Sequence, residues 1–294
     1  MRILVTGSEG FIGKNLCARL KKDGHYVFYY DLKIGKAWDF LAVPPEVDII
    51  YHLACVNQEE ALENPQENLM TNAWGAKLAG FWAMEQGIPL VFTSTASVYG
   101  ASERIPTPVD ADIKPQTDYA VAKLAGEHFI RNSGCDYKIL RLSNVYGPGQ
   151  TTENPYCGVI GKFIEAAIDN KPLEVIKPGT QTRDYTYIDD VIDVITSTDT
   201  DNTTKNVSSG TETSVLDLAN EIIRQTGHKS GIAMIEPRGI DGIMRRRLIT
   251  DYRCPTALDE GLAKTVEWYR ATAGKGSPAS FAPLRPGSLS GQTL

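Results

Sequence analysis

The chain has 294 residues, 42% hydrophobic and 22% charged, a globular balance that excludes a wholly disordered chain. Its 30 Lys and Arg against 36 Asp and Glu give a net charge of −6. That sets aside a general electrostatic nucleic-acid binder and leaves room for a local basic pocket for a small anion. At roughly 150 residues per domain, the length fits about two domains or one large α/β unit.

In chain order, Ile3, Leu4 and Val5 predict a short buried strand, and Gly7, Gly10 and Gly13 follow at three-residue spacing. Phe11, Ile12, Leu16 and Leu20 recur at helical spacing until Asp23-Gly24 stops the helix. Tyr26 to Tyr30 reads as the second strand, ending at Asp31. Val47 to Ala54 and Leu90 to Thr95 read as further parallel strands, separated by a long helix over 68–86. On that helix Trp74, Leu78, Phe81 and Trp82 make one stripe and Leu69, Ala73 and Ala76 another. Two apolar sides suit packing on the sheet and on something else, a second subunit among the options. A helix over 118–132 and a strand from Lys138 to Leu142 complete an alternating pattern. The fold class expected is therefore α/β, a doubly wound parallel sheet.

Beyond Gly149 the pattern loosens. A helix is predicted over 158–170, a strand from Leu173 to Ile176, a Ser-capped helix over 214–226 and a last helix over 262–270. The segment from Arg183 to Thr196 reads as sheet and helix of the main unit. The expected division is 1–150 with about 183–210 as the main domain, and about 151–182 with 211–273 as a smaller, discontinuous substrate lobe. The tail over 274–294, rich in Gly, Pro and Ser, is expected to be flexible. Cys17, Cys55, Cys135, Cys157 and Cys254 are scattered without a C-x-x-C pair, which reads as reduced thiols and neither a disulfide framework nor a metal site. With no signal-type segment and no apolar run of the roughly 18 residues a membrane span needs, a soluble cytoplasmic protein is expected, with no membrane partner.

Two constellations carry chemistry. A glycine turn between a parallel strand and a helix N-terminus suits a pyrophosphate, and Asp31, 18 residues past Gly13, can hold the adenosine ribose and repel a 2′-phosphate, favouring NAD. Lys33 works slightly against that preference. Tyr119 and Lys123, four apart, share a helix face, and a nearby ammonium, together with a positive nicotinamide ring, favours phenolate and lowers the tyrosine pKa. Thr95, at the C-terminal end of a predicted strand, would hydrogen-bond the oxygen that Tyr119 deprotonates. Hydroxyl, phenol and ammonium together suit hydride transfer at a carbinol carbon.

These strings resemble the extended short-chain dehydrogenase/reductase family in its NAD-dependent nucleotide-sugar epimerase/dehydratase branch. The matching motifs are TGSEGFIG from Thr6, HLA from His52, STASVYG from Ser94, YAVAK from Tyr119, LRLSNVYGPG from Leu140, RDYTYIDD from Arg183 and DEGLAKTVEWYR from Asp259. The resemblance implies a Rossmann domain holding NAD and a nucleotide-sugar substrate. It implies catalytic Thr95, Tyr119 and Lys123. It places cofactor contacts at Gly7, Gly10, Phe11, Ile12, Gly13, Asp31, Asp39, Phe40, Leu53, Ala54, Thr93, Tyr119 and Lys123. Substrate contacts fall at Thr95, Ser97, Tyr119, Asn144, Arg183 and Arg238, the two arginines gripping the diphosphate. No metal is implied, and relatives commonly form homodimers through the helices at about 68–86 and 118–132.

Within the branch, sugar 4,6-dehydratases carry Asp-Glu after the catalytic Thr, where this chain has Ala96-Ser97. Glucuronate decarboxylases usually carry Glu at the Ser97 position. The resemblance is therefore strongest to nucleotide-sugar 4-epimerases acting on UDP-hexoses, which oxidise C4, turn the 4-keto sugar and reduce it again. Alternatives are an unusual dehydration or decarboxylation using Cys55, Asn57, Glu59 or Ser97, a net NAD(P)H-dependent carbonyl reductase, or a scaffold that keeps the fold only. Two departures bear on substrate choice: the stretches between Asp31 and His52 and between Asp251 and Pro255 are shorter than usual. Arg245, Arg246 and Arg247 read equally as phosphate contacts or as a solvated run.

Overall fold

The run Arg2–Thr6 forms strand β1 because Ile3, Leu4 and Val5 are all buried, each apolar side chain worth about 1.5–3 kcal/mol out of water. The computed structural model describes residues 1–31, 46–150, 158–197, 200–237, 243–250 and 252–272. Helix α1 (Phe11–Lys22) follows the glycine turn and buries Leu16, Cys17 and Leu20. Strands β2 (Tyr26–Tyr30), β3 (Ile49–His52), β4 (Leu90–Thr95), β5 (Tyr137–Leu142) and a later strand join β1 in one parallel sheet. A fully parallel sheet needs cover on both faces, and two apolar clusters provide it.

The long helix over 68–86 is subdivided. Short helices α2 (Gln58–Glu63) and α3 (Pro65–Asn68) lead into a π-helical segment, Leu69–Trp74, and then α4 (Gly75–Gln86). Asn72 in the wide turn explains the interruption: its amide donates to Val56 O at 2.7 Å and its Oδ1 accepts from Val56 N–H at 3.2 Å. Its side chain thereby satisfies the loop leaving β3. Wide turns of this kind frequently sit at functional sites. Helix α5 (Asp118–Arg131), capped by Thr117, packs on α4. At Gly126 a Cβ would stand 2.6 Å from Asn72 O, so glycine sets that close approach.

The second half comprises β6 (Asn144–Tyr146), α6 (Val159–Ile168), β7 (Leu173–Ile176), β8 (Thr182–Tyr187), α7 (Ile188–Thr196), β9 (Thr203–Val207), β10 (Glu212–Ser214), α8 (Val215–Thr226), β11 (Ile232–Ile235) and α9 (Leu258–Thr272). The six-stranded order is β2-β1-β3-β4-β5-β9. Chain order reverses at β1, and such a switch point opens a crevice at the carboxyl ends of the strands. The segment from Arg183 supplies β8, which pairs with β6 and β10 in a separate three-stranded sheet instead of entering the main one. Its Tyr185 and Tyr187 are buried against that second layer, while α7 packs on α1. The sixth place in the main sheet goes to β9, whose Thr203–Val207 run carries no strong apolar signal. Residues 32–45 and the tail expected from 274 lie outside the described residues.

Candidate active site

The glycine turn leaves β1 at Thr6 and enters α1 at Gly10. Gly7 has φ +69°, and a Cβ there would lie 2.7 Å from the backbone of Leu53 and Ala54. A Cβ at Gly13 would lie 2.0 Å from Gly7 O. Both positions therefore exclude any side chain, for different reasons: a left-handed conformation at Gly7 and a helix pressed on the turn at Gly13. Gly10 caps α1 without a side-chain hydrogen bond, and no acidic residue occupies its first turn. The amides at Phe11, Ile12 and Gly13 thus form a helix N-terminus suited to an anion. Glu9 N–H donates to Asp31 Oδ2 at 3.0 Å, which ties the expected ribose-binding carboxylate to the turn. Glu9 itself is buried, with Lys14 Nζ 3.6 Å from its carboxylate.

At the end of β3, Leu53 and Ala54 are buried against that turn, and Thr6 joins the two strands. Thr6 Oγ1 accepts from Ala54 N–H at 3.2 Å and lies 2.7 Å from His52 Nδ1. Burial, with Lys123 adding to it, pulls His52 down to about 3, so the ring is neutral. Thr93, expected among the cofactor contacts, is buried with its hydroxyl directed to His52 O at 3.5 Å.

The three expected catalytic residues converge. Thr95 ends β4 and caps a short 3₁₀ turn, Ala96–Tyr99, its Oγ1 accepting from Ser97 N–H at 3.1 Å. Its hydroxyl is close enough to the Tyr119 phenol to pull that group's pKa down. Tyr119 and Lys123 stand one turn apart on α5. Burial is the largest influence on the Tyr119 phenol. Burial and the Cys55 thiol push Tyr119 well above its ordinary value, against a downward pull from Thr95 and Arg246. Lys123 is 1% exposed, with Nζ 4.1 Å from the Phe92 ring centroid and no hydrogen-bond partner among the described residues. Burial lowers its pKa, and Cys55 and Glu127 resist. A buried ammonium without an acceptor is costly, and a ribose diol in the crevice would supply one. The glycine cradle, the open helix N-terminus and this orphaned ammonium all fit a dinucleotide.

Cys55 lies beside the same phenol, with Sγ 3.9 Å from Tyr119 Oη, and it is exposed. Burial pushes Cys17 and Cys254 up to about 12 and raises Cys135 as well. Iodoacetamide is therefore expected to label Cys55 ahead of those three, with turnover lost in step. Peptide mass spectrometry against residual activity checks this, and full activity after complete Cys55 labelling would contradict it.

On the substrate side, Asn144 lies on β6, and its buried Oδ1 has no partner among the described residues. Arg183, the second residue of β8, donates from Nη1 to Thr182 O and Ile243 O at 2.8 and 3.0 Å. Ser97 is buried, and its Oγ accepts from Arg246 Nη1 at 3.2 Å. The arginine run thus divides: Arg245 pairs with Glu212, Arg247 donates to Gly210 O, and Arg246 turns inward. Asn57 and Glu59, candidates for other acid–base work, are engaged elsewhere. Asn57 caps α2, and Glu59 lies 3.8 Å from Lys162. Asp39, Phe40 and Arg238, together with Cys157, fall outside the described residues. No group of His, Cys, Asp and Glu among the described residues could hold a metal ion. No described helix is long and apolar enough to cross a membrane.

Comparison with known proteins identifies the family. The profile of the NAD dependent epimerase/dehydratase family matches residues 3–202. A UDP-glucose 4-epimerase of Mycolicibacterium smegmatis is 31% identical, covering 92% of this chain and 99% of its own. A UDP-N-acetyl-alpha-D-glucosaminuronate decarboxylase of Bacillus cytotoxicus is 27% identical, covering 92% and 98%. Among solved structures, UDP-glucose 4-epimerase with UDP-glucose from Thermotoga maritima superposes with a TM-score of 0.84 at 26% identity, covering 93% of this chain and all of the other.

Proposed function

The chain belongs to the NAD-dependent epimerase/dehydratase family, and from that premise we propose that it is a UDP-hexose 4-epimerase. The observation that carries the reading is the Thr95–Tyr119–Lys123 set with Ala96 and Ser97 beside it. A carbinol can be oxidised there, while no carboxylate stands next to Thr95 to drive elimination of water. NAD, when bound, supplies reversible hydride acceptance at C4, so a 4-keto sugar that turns over before reduction gives the C4 epimer. Gly7, Gly10, Gly13 and the α1 N-terminus would hold its pyrophosphate, Asp31 one ribose and Lys123 the other. Tyr119 takes the C4 hydroxyl proton and later returns it. Thr95, close enough to that phenol to influence its titration, orients the same oxygen. Asn144 and Arg183 hold the diphosphate, a bidentate guanidinium suiting phosphate oxygens.

Proton NMR of the purified protein with catalytic NAD and UDP-linked glucose, galactose, N-acetylglucosamine and glucuronate tests this. C4 interconversion without net NADH is expected. New vinyl or pentose signals would replace the reading with dehydration or decarboxylation.

The active unit we propose is a homodimer joined through α4 and α5. Leu69, Trp74, Phe81, Val121 and Phe129 are exposed on or beside these helices, Phe81 at 55%. Lys77 bridges Trp74 and Phe129, 4.7 and 5.5 Å from their ring centroids. The other half of the expected stripe, Leu78 and Trp82, packs inward against the second apolar cluster. A two-fold contact would cover the outward set. Light scattering should give twice 32.2 kDa for the native chain and the monomer value for Phe81→Asp. A monomeric native chain would refute the assignment.

A further inference from the structure

We infer that Arg246 selects a nucleotide-sugar carrying a carboxylate on the pyranose, a hexuronate, in preference to a neutral hexose; this rests on the epimerase reading for the position of C4. Arg246 is half-buried, and its guanidinium head donates to a neutral hydroxyl, Ser97 Oγ, at 3.2 Å. No carboxylate pairs with it among the described residues, although Arg245 beside it has Glu212. A guanidinium enclosed without a counter-anion is expensive to keep, so its ligand supplies one. Burial and the neighbouring Arg183 bring Arg246 down to about 10, and Tyr119 alone pulls the other way.

Position decides what the anion is. Arg183 lies among the residues proposed for the diphosphate, which hangs from C1. Arg246 instead reaches Ser97, two residues past Thr95, and is close enough to Tyr119 to influence its titration. Thr95 and Tyr119 define where C4 must sit, so a group facing Arg246 and Ser97 is carried on a carbon adjacent to C4. In a UDP-hexose the acidic form of such a substituent is a C6 carboxylate on C5. A planar guanidinium with a hydroxyl beside it matches a carboxylate's two oxygens. An uncharged hydroxymethyl group would leave the cation unpaired.

The test is equilibrium binding of UDP-glucuronate, UDP-glucose and UDP to the NAD-loaded protein, native, Arg246→Met and Arg246→Lys. A single charge-assisted contact supports a preference of about tenfold or more for UDP-glucuronate over UDP-glucose in the native protein. Arg246→Met should bring that ratio near one while leaving UDP affinity unchanged, and Arg246→Lys should keep part of it. If the Met variant does not fold, the Lys variant carries the comparison, since it retains charge and loses the bidentate fork. No native preference, or an equal loss for all three ligands, would overturn the inference; equal loss would make Arg246 a diphosphate contact. Binding does not depend on turnover. Selective UDP-glucuronate binding without C4 inversion would remove the epimerase reading and keep the carboxylate site; inversion of neutral sugars with no preference would do the reverse.

Discussion

Tyr119→Phe should lower kcat by about 10²- to 10⁴-fold, the range for removing a positioned general acid–base group. The substitution deletes one oxygen from a side chain that otherwise packs unchanged, so secondary structure and NAD retention should match the native protein. Circular dichroism and release of bound dinucleotide on denaturation check both. Because burial holds the phenol well above its ordinary value, the native enzyme should gain kcat/KM as pH rises from neutral into the alkaline range, where the phenolate forms. The Phe variant should show no such rise. Activity within tenfold of native would remove Tyr119 as the base, and with it the proposed chemistry.

Glu127→Ala should cost about 3–5 kcal/mol, because it strands a charge in the core. Glu127 is fully buried, and Arg141 is 4% exposed. Arg141 donates Nε to Oε1 at 2.9 Å and Nη2 to Oε2 at 2.7 Å. Ser94 and Arg131 donate to the same carboxylate at 2.5 and 2.7 Å. At roughly 2–4 °C per kcal/mol for a chain of this size, Tm should fall by about ten degrees. Exchanging Glu127 and Arg141 together for Met should recover much of the loss, since the pair is then gone and not broken. Burial raises the Glu127 carboxyl, but Arg141, Ser94 and Arg131 more than offset it and hold the group below its ordinary value. A depressed carboxyl contributes stability that is complete above its unfolded value of about 4.3 and is lost as pH falls through the folded value. The native protein should therefore lose Tm steeply below about pH 4.3, and the Glu127→Ala variant less so. Equal Tm values at neutral pH would contradict the argument. Catalysis should suffer too, since Ser94 precedes Thr95 and Glu127 lies one helical turn beyond Lys123.

How far the sequence reached depends on the kind of signal. The glycine turn, Thr95 at a strand end and the i,i+4 pair Tyr119–Lys123 are local patterns, and local patterns are legible without the fold. The main-sheet strands were legible as short apolar runs; β9 was not, because Thr203–Lys205 are polar residues recruited by pairing with β5. The subdivision of the 68–86 helix was invisible because its cause, Asn72 serving Val56, is a contact between distant segments. Three successive arginines give no hint of which turns inward. Alternation over Arg245 to Leu248 is the signal that would have helped: Arg246 and Leu248 face in while Arg245 and Arg247 face out, as in any extended segment. The burial around Tyr119 and Lys123 was illegible for a related reason. Residue spacing reports which charges are near each other, and not how deeply both are withdrawn from water.

Ile3, Val5 and Leu16, which frame the glycine turn, belong to one continuous apolar cluster with Leu173, Val175, Leu218, Ile222 and Leu262. The dinucleotide crevice and the C-terminal helices therefore share a core and melt together. Ligand gripped at the turn protects segments that never touch it. At a hundred times its dissociation constant a ligand adds about 2.7 kcal/mol to the whole cooperative unit. Amide hydrogen exchange in α8 should slow when NAD is added, although no residue of α8 belongs to the turn. Exchange there that is indifferent to NAD would show that the two halves open separately.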